Sequence, residues 1–263
     1  MDFIDAIPLS RECNVIAAHE CGLIAINKKA GRASHPNGGN SEVSAMVRAP
    51  YNFDGEYYSW LDADGLKRRL YLVNRLDSPT SGVILAASNP EAAEEAKKQF
   101  RNKFVEKIYA AVVVGKLMPN CGLWSDRIST TNVGGRLRSV GGATHSGQSH
   151  LAMTEYKVEQ FDENGLNTSL VFLKPKTGLT HQLRVQCARR AHPILGDATY
   201  GNFSVNKKIR HASGINRLFL HCMKTALKME LDGVQIDFCA QAPLPESFNS
   251  IIKFNRDVNF KKF

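Results

Sequence analysis

This chain of 263 residues is short of paired cysteines, clustered histidines, acids and long apolar runs. Its six cysteines, Cys13, Cys21, Cys121, Cys187, Cys222 and Cys239, are scattered and contain no Cys-x-x-Cys pair. Zinc sites and thiol redox motifs normally show such pairs, so neither is expected. Reduced, mostly buried thiols in a cytoplasmic protein fit this usage better than a disulfide framework. The eight histidines form no His-Glu-x-x-His motif and no Cys/His cluster, and no metal cofactor is expected. No apolar run approaches the ~20 residues that span a bilayer. The segment 1–11 carries Asp2 and Asp5 and lacks a basic stretch before an apolar core, so it does not read as a signal peptide. Acids are outnumbered: 25 Asp and Glu stand against 34 Lys and Arg, giving a net charge of +9 and a pI near 9.3. That balance speaks of partners, and polyanions come first: nucleic acid, then an anionic membrane surface.

What is present suffices for a folded core, with 43% hydrophobic and 22% charged residues. Segments 15–18 and 23–26 read as strands, and 27–31 as a basic turn leaving the sheet. Ser41 is a plausible cap for a short helix with Val43, Met46 and Val47 on one face. Segment 51–69 mixes aromatics with charges, lacks clean periodicity, and is expected to be a surface loop or an excursion. Asn89-Pro90-Glu91 starts a helix: Asn caps, Pro suits the first position, and Glu91, Glu94 and Glu95 suit the positive end of the dipole. A strand is expected at 105–115 and a mobile, Gly- and Ser-rich hairpin loop at 130–149. Strands follow at 151–161 and 166–173, then a helix capped by Thr180 and running to about 191. Late strands at 218–229 and 234–240 precede a terminal helix from Pro245-Glu246, with Phe248, Ile251, Ile252 and Phe254 on its apolar side. Strands dominate without β-α-β alternation, which argues for an α+β fold with a mixed, mainly antiparallel sheet flanked by helices and loops. The expected organisation is one domain over 13–263, with 1–12 as a short N-terminal extension.

Three segments concentrate chemistry. The first, Asn74-Arg75-Leu76-Asp77-Ser78-Pro79-Thr80-Ser81-Gly82, sets an acid beside an arginine in a turn between two apolar runs. Such a turn can be plain structure, because Asp, Ser, Pro and Gly are ordinary turn formers. It can also present a carboxylate with little freedom. The second puts Lys107 and Tyr109 on one face of a strand, where an aromatic ring can stack on a base. The third, Thr177 to Arg184, places Arg184 near the start of a helix. A cation there gains nothing from the dipole, so a nearby anion would explain it. A fourth, turn-rich segment runs from His192 to Gly201.

Together and in this order, these segments resemble the RluA family of pseudouridine synthases, over about 22–245. The resemblance implies an isomerase that converts uridine in structured RNA, rRNA or tRNA, to pseudouridine without a cofactor. It implies Asp77 as the catalytic carboxylate, Arg184 as its basic partner and Tyr109 as the ring against the base. Arg75 would engage RNA near the target uridine, Leu183 would line the pocket wall, and Lys107 would lie at the substrate beside Tyr109. Asn74 stands where the family usually has His, and Leu179 where it usually has Arg. No S4-type RNA-binding domain is evident ahead of the catalytic region, and RNA affinity is then expected to come from Lys28, Lys29, Arg68, Arg69, Arg136, Arg138, Arg189 and Arg190. A monomer without an obligate protein partner and without a membrane role is expected. Two alternatives stay open: a non-catalytic RNA-binding module on the same fold, and a hydrolase of another glycosidic bond. Glycosidases normally pair two carboxylates, and no second acid stands out near these motifs.

Overall fold

The computed structural model describes residues 2–36, 44–133, 136–141, 149–162 and 166–251. Its elements in chain order are β1 (Asn14–Ala18), β2 (Leu23–Lys28), β3 (Tyr51–Asn52), β4 (Tyr57–Leu61), β5 (Lys67–Leu72), β6 (Ser81–Ala87), α1 (Pro90–Arg101) and β7 (Glu106–Val114). They continue with β8 (Cys121–Val133), β9 (Arg136–Gly141), β10 (Ser149–Asp162), β11 (Thr168–Pro175), α2 (Gln182–Arg189), α3 (Phe203–Ser213), β12 (Leu220–Leu231), β13 (Val234–Gln241) and α4 (Glu246–Ile251). The chain forms two compact units, Met1–Lys107 with Cys222–Pro243, and Ile108–His221 with Leu244–Phe263.

In the first unit the strands run in the order β3, β4, β5, β6, β12, with β2 also pairing with β6, β1 with β2, and β13 with β12. Strand β6 is buried at every position, as an apolar run covered on both faces should be. Ile24, Ile26, Leu70 and Ile84 join Met46 and Tyr58 in the core. Helix α1 starts as expected: Asn89 Oδ1 accepts from Ala92 N–H at 2.8 Å, and Ala92, Ala93 and Ala96 form its buried stripe. The first dozen residues are tied into this unit. Ile7 is buried in the core, Leu9 bridges Val47, and Arg48 N–H donates to Pro8 O.

Two expectations fail here. Segment 51–69 is not a loop but most of an antiparallel meander, β3 to β5, with Tyr57 opposite Tyr71 and Tyr58 opposite Leu70. Its aromatics and arginines pack across strands, Arg69 over the Tyr57 ring at 5.0 Å, which blurs the two-residue period. The helix after Ser41 is also absent among the described residues. Residues 41–43 lie outside them, and Ala45 and Val47 make isolated bridges to Ala33 and Leu9. Ala45, Met46 and Val47 are fully buried, so this run is enclosed rather than amphipathic.

The second unit has the strand order β7, β11, β10, β8, β9, antiparallel throughout. The loop expected at 130–149 is partly a hairpin, because β8 runs to Val133 and pairs with β9. Residues 142–148 lie outside the described residues. Helix α3 was not foreseen. Its limits were written in Asn202, which accepts from Val205 N–H at 3.1 Å, and in Gly214, whose φ of 69° closes the end. A nearly continuous polar surface hid the period. Helix α4 buries Phe248 and Ile251, whereas Ile252 and Phe254 lie outside the described residues. Among the described residues no helix is long and apolar enough to cross a membrane.

Candidate active site

Asp77 follows β5 on the turn that returns the chain into β6. The chain is held on both sides of it. On one side, Leu76 N–H donates to Ser34 Oγ at 3.0 Å, and that hydroxyl donates to Leu76 O at 2.8 Å. On the other, Ser78 O accepts from Gly31 N–H at 2.8 Å, and Ser78 Oγ donates to Gly31 O at 3.2 Å. Asp77 O itself accepts from Thr80 N–H at 2.9 Å. Gly82 then enters β6 with φ 111°, and a Cβ there would lie 2.1 Å from the Cys222 carbonyl oxygen, so only glycine lets β12 approach.

Lys28 completes this clamp, and it corrects an expectation. Read from sequence as an RNA-facing cation, it is instead fully buried. Its ammonium donates to Lys29 O at 3.2 Å, Arg32 O at 2.6 Å and Ser78 O at 3.1 Å, as many carbonyls as it has protons. It ties the turn after β2 to the turn that carries Asp77. Replacing Lys28 with Met should remove these three bonds, although Ser78 O and Lys29 O keep the N–H donors of Gly31 and Arg32. It should cost about 1–3 kcal/mol and lower the single-turnover rate at temperatures where the variant is still folded. A Lys28→Met enzyme with wild-type melting and rate would refute the clamp.

On β7, Lys107 and Tyr109 alternate with the buried Ile108 and Ala110, as the strand period requires. Both are half-buried. Burial holds the Lys107 ammonium below its ordinary pKa, partly offset by Cys222, and Lys107 Nζ lies 5.9 Å from the centre of the Phe100 ring.

Arg184 sits on α2, and the route into that helix differs from the expectation. Thr180 is not its cap. His181 is, in the left-handed region at φ 54° and without a capping side-chain bond. The helix is secured by glutamines instead. Gln182 Oε1 accepts from Thr177 Oγ1 at 2.7 Å and from Leu179 N–H at 3.1 Å, and its amide donates to Met153 O and Thr154 Oγ1. Gln186 donates to Asp126 and Ala152 O, and accepts from Thr154 Oγ1 at 2.6 Å. With α2 so fixed, Leu183 and Arg184 are both buried.

The anion that Arg184 called for is present in the same unit. Arg184 Nε and Nη2 donate to the two oxygens of Asp197 at 2.8 and 2.9 Å, a bidentate pair buried on both sides. Asp197 Oδ1 also accepts from Thr199 N–H and Tyr200 N–H. Burial alone would raise the Asp197 pKa, but the Arg184 bonds and these two amides outweigh it and hold the carboxyl below its ordinary value. Tyr200 finishes the cluster, its ring centre 5.1 Å from the Arg184 guanidinium and its hydroxyl 2.9 Å from His181 Nδ1. Asp197 was missed in the sequence. It lies in the fourth segment, whose density of turn residues was the available signal.

Residues 22–189 match the family model described as RNA pseudouridylate synthase. The chain belongs to that family, in its RluA branch. Pseudouridine synthases are isomerases. It is 31% identical to the tRNA pseudouridine synthase C of Pasteurella multocida over 224 residues, covering 83% of this chain and 87% of that one. It is also 31% identical to the ribosomal large subunit pseudouridine synthase C of Haemophilus influenzae over 259 residues, covering 95% of this chain and 73% of that one. The fold is similar to that of human RNA pseudouridylate synthase domain containing 4, with a TM-score of 0.62 at 26% identity and coverage of 90% and 91%.

The structure gives physical roles to both departures from the usual pattern of pseudouridine synthases. Asn74 Oδ1 accepts from Leu85 N–H at 2.7 Å, while Val73 N–H donates to Leu85 O at 3.0 Å, so the chain stays registered against β6 past the end of β5. The acceptor sits two bonds beyond Cβ, where His would place Nδ1. Asn74→Ala is expected to cost about 1–3 kcal/mol for the orphaned amide, and Asn74→His to recover most of it. Equal denaturation midpoints for wild type and Asn74→Ala would overturn this role. Leu179 packs against Ile128, Ala152 and Val185, an apolar contact that an arginine head could not make.

The other proposed RNA-facing cations divide. Lys29 is about half exposed and paired with Glu12. Arg68 pairs with Asp62 at 2.7 Å, and Arg190 pairs with Asp126 at 2.9 Å while lying over Trp124. The side chains of Arg136 and Arg138, on β9, lie outside the described residues.

Proposed function

We propose that this pseudouridine synthase isomerises specific uridines of tRNA or rRNA, with Asp77 as the catalytic carboxylate. The observation that carries the reading is the two-sided anchoring of the chain at Asp77: Ser34 on Leu76, and Gly31 with Lys28 on Ser78. A reactive group held this way enters the transition state with little entropy left to lose.

The reaction breaks the bond from uracil N1 to ribose C1′, turns the base, and joins C5 to C1′. The Asp77 carboxylate can attack as nucleophile or take a sugar proton. No net oxidation occurs, and the proposal requires no cofactor. Tyr109 serves as the ring against the uracil, and Arg184, oriented by Asp197, as the cation of the catalytic set. Arg75, Leu183 and Lys107 contact substrate, and the target leaves its stack to be reached. Lys29, Arg136 and Arg138 contribute to RNA affinity, which should weaken with salt. Asp197 is not a second catalytic carboxylate of the glycosidase kind, since both its oxygens are committed to Arg184. The reading extends to a cytoplasmic monomer, with 13–263 as catalytic domain and 1–12 as an N-terminal extension that packs into its first unit.

The test is to incubate transcribed tRNA and rRNA fragments with the protein and map pseudouridine. New pseudouridine at defined positions is expected. Binding without any product would favour a binding module, and released uracil would favour a hydrolase.

A further inference from the structure

We infer that the β3–β4 hairpin carries a seat for an unpaired nucleobase of the RNA, built from Phe53, Tyr51 and His35 beside Arg75. The inference rests on the reading of the substrate as RNA and adds a contact outside the catalytic set.

Four observations point there. First, Phe53 is 60% exposed at the hairpin tip, although it belongs to an ordered aromatic cluster. Its ring meets Tyr51 edge-on at 5.1 Å and His35 edge-on at 6.0 Å, while His35 stacks on Tyr51 at 5.4 Å with 18° between planes. Burial drives the folding of Tyr51 and Tyr58, but it does not account for the outer ring. Second, the tip is stiff. Asn52 Oδ1 accepts from Gly55 N–H at 2.7 Å, and a side chain at Gly55 would collide with Tyr57. A rigid aromatic ring loses little entropy on meeting a base.

Third, a cation is fixed beside the rings. His35 Nδ1 lies 2.9 Å from Pro36 O, and a carbonyl can only accept, so Nδ1 carries the proton. Nε2 is then the acceptor for Arg75 Nη1 at 3.3 Å. Arg75 is exposed and offers a charge to the phosphate that accompanies any base on the rings. Two acids lie on the hairpin: Glu56 is paired with Lys97 at 2.8 Å, which moderates its repulsion of a phosphate, and Asp54 follows Phe53 at the exposed tip, where water screens it. Fourth, the cluster is linked rigidly to Asp77. Tyr58 packs on Tyr51 and donates to Ser34 O at 2.8 Å, and Ser34 Oγ bonds both backbone groups of Leu76. A base on this seat would therefore come from a nucleotide close to the target. Aromatic rings with an adjacent cation are how proteins hold single strands without reading their sequence.

The experiment compares wild type, Phe53→Ala and Phe53→Trp. Binding of a short single-stranded oligouridylate, of bulk tRNA and of a fully paired RNA duplex is measured, with pseudouridine formation on tRNA and rRNA fragments in parallel. Phe53→Ala should bind oligouridylate about tenfold more weakly, the scale of one lost base stack. Its KM should rise similarly, with an unchanged single-turnover rate at saturating RNA. Duplex affinity should stay the same. Phe53→Trp should restore binding, and the emission added by its indole should be quenched by oligouridylate. Unchanged single-strand affinity in Phe53→Ala, an equal loss on duplex, or unquenched added emission in Phe53→Trp would each overturn the seat. Pseudouridine formation by wild type judges the functional reading separately: if wild type makes none, that reading fails while the binding arms still decide the seat.

Discussion

Asp77→Asn is expected to lower pseudouridine formation by about 10³-fold or more, with RNA affinity near that of wild type. Loss of a positioned acid–base group alone is worth about 10²–10⁴, and loss of a nucleophile removes the covalent route as well. Asn matches Asp in size and keeps an acceptor oxygen, so the change is nearly confined to charge. The turn should survive, because the bonds that fix it run through backbone groups of Leu76, Ser78 and Thr80 and through the side chains of Ser34, Ser78 and Lys28. Single-turnover assays should therefore show a loss of rate without a loss of folding, and equilibrium binding should move little. Retained turnover in Asp77→Asn would remove Asp77 from the chemistry, whatever the family resemblance implies.

The second large effect concerns Asp197. Asp197→Asn removes the carboxylate that pairs bidentately with the buried Arg184 guanidinium, and breaking a buried pair from one side costs about 3–5 kcal/mol. In a protein of this size that is a fall in melting temperature of about 6–20 °C. The pH dependence has a definite sign. The Asp197 carboxyl is held below its ordinary pKa in the folded state, so it stabilises the fold above its unfolded value. That contribution is lost as pH falls through the lower folded value. The wild type should thus lose stability below about pH 4, and the gap to Asp197→Asn should narrow there, since a protonated Asp197 carries no more charge than Asn. Denaturant midpoints for both proteins across acid pH check this, and a gap that stays constant into strong acid would refute it. Activity of Asp197→Asn at a permissive temperature should also fall, because Arg184 loses the carboxylate that orients it.

Much of the local structure of the candidate site was legible in the chain because its signals are local. The Pro- and Gly-bearing turn around Asp77, the Asn89 cap and the alternation of Lys107 with Tyr109 each depend on residues a few places apart, and each formed as expected. Segment 51–69 was illegible for a different reason. Its aromatic and charged side chains pack across strands, so composition no longer reported which face was buried. Thr180 looked like a cap by residue type, but His181 took the position in a left-handed conformation while glutamines further along held the helix.

The sequence by itself determined the family and the largely antiparallel α+β class, and it singled out the candidate segments for the chemistry. These follow from short-range periods, turn residues and ordered motifs. Only the tertiary structure decided that Lys28 is an internal clamp rather than a surface cation, since its partner at Ser78 lies 50 residues along the chain. Only it decided that Arg184 is held by Asp197 and that Asn74 secures the backbone at Leu85. The reason is the same in each case. A charged or polar side chain takes its role from the groups that surround it once water is removed, and those groups come from distant parts of the chain.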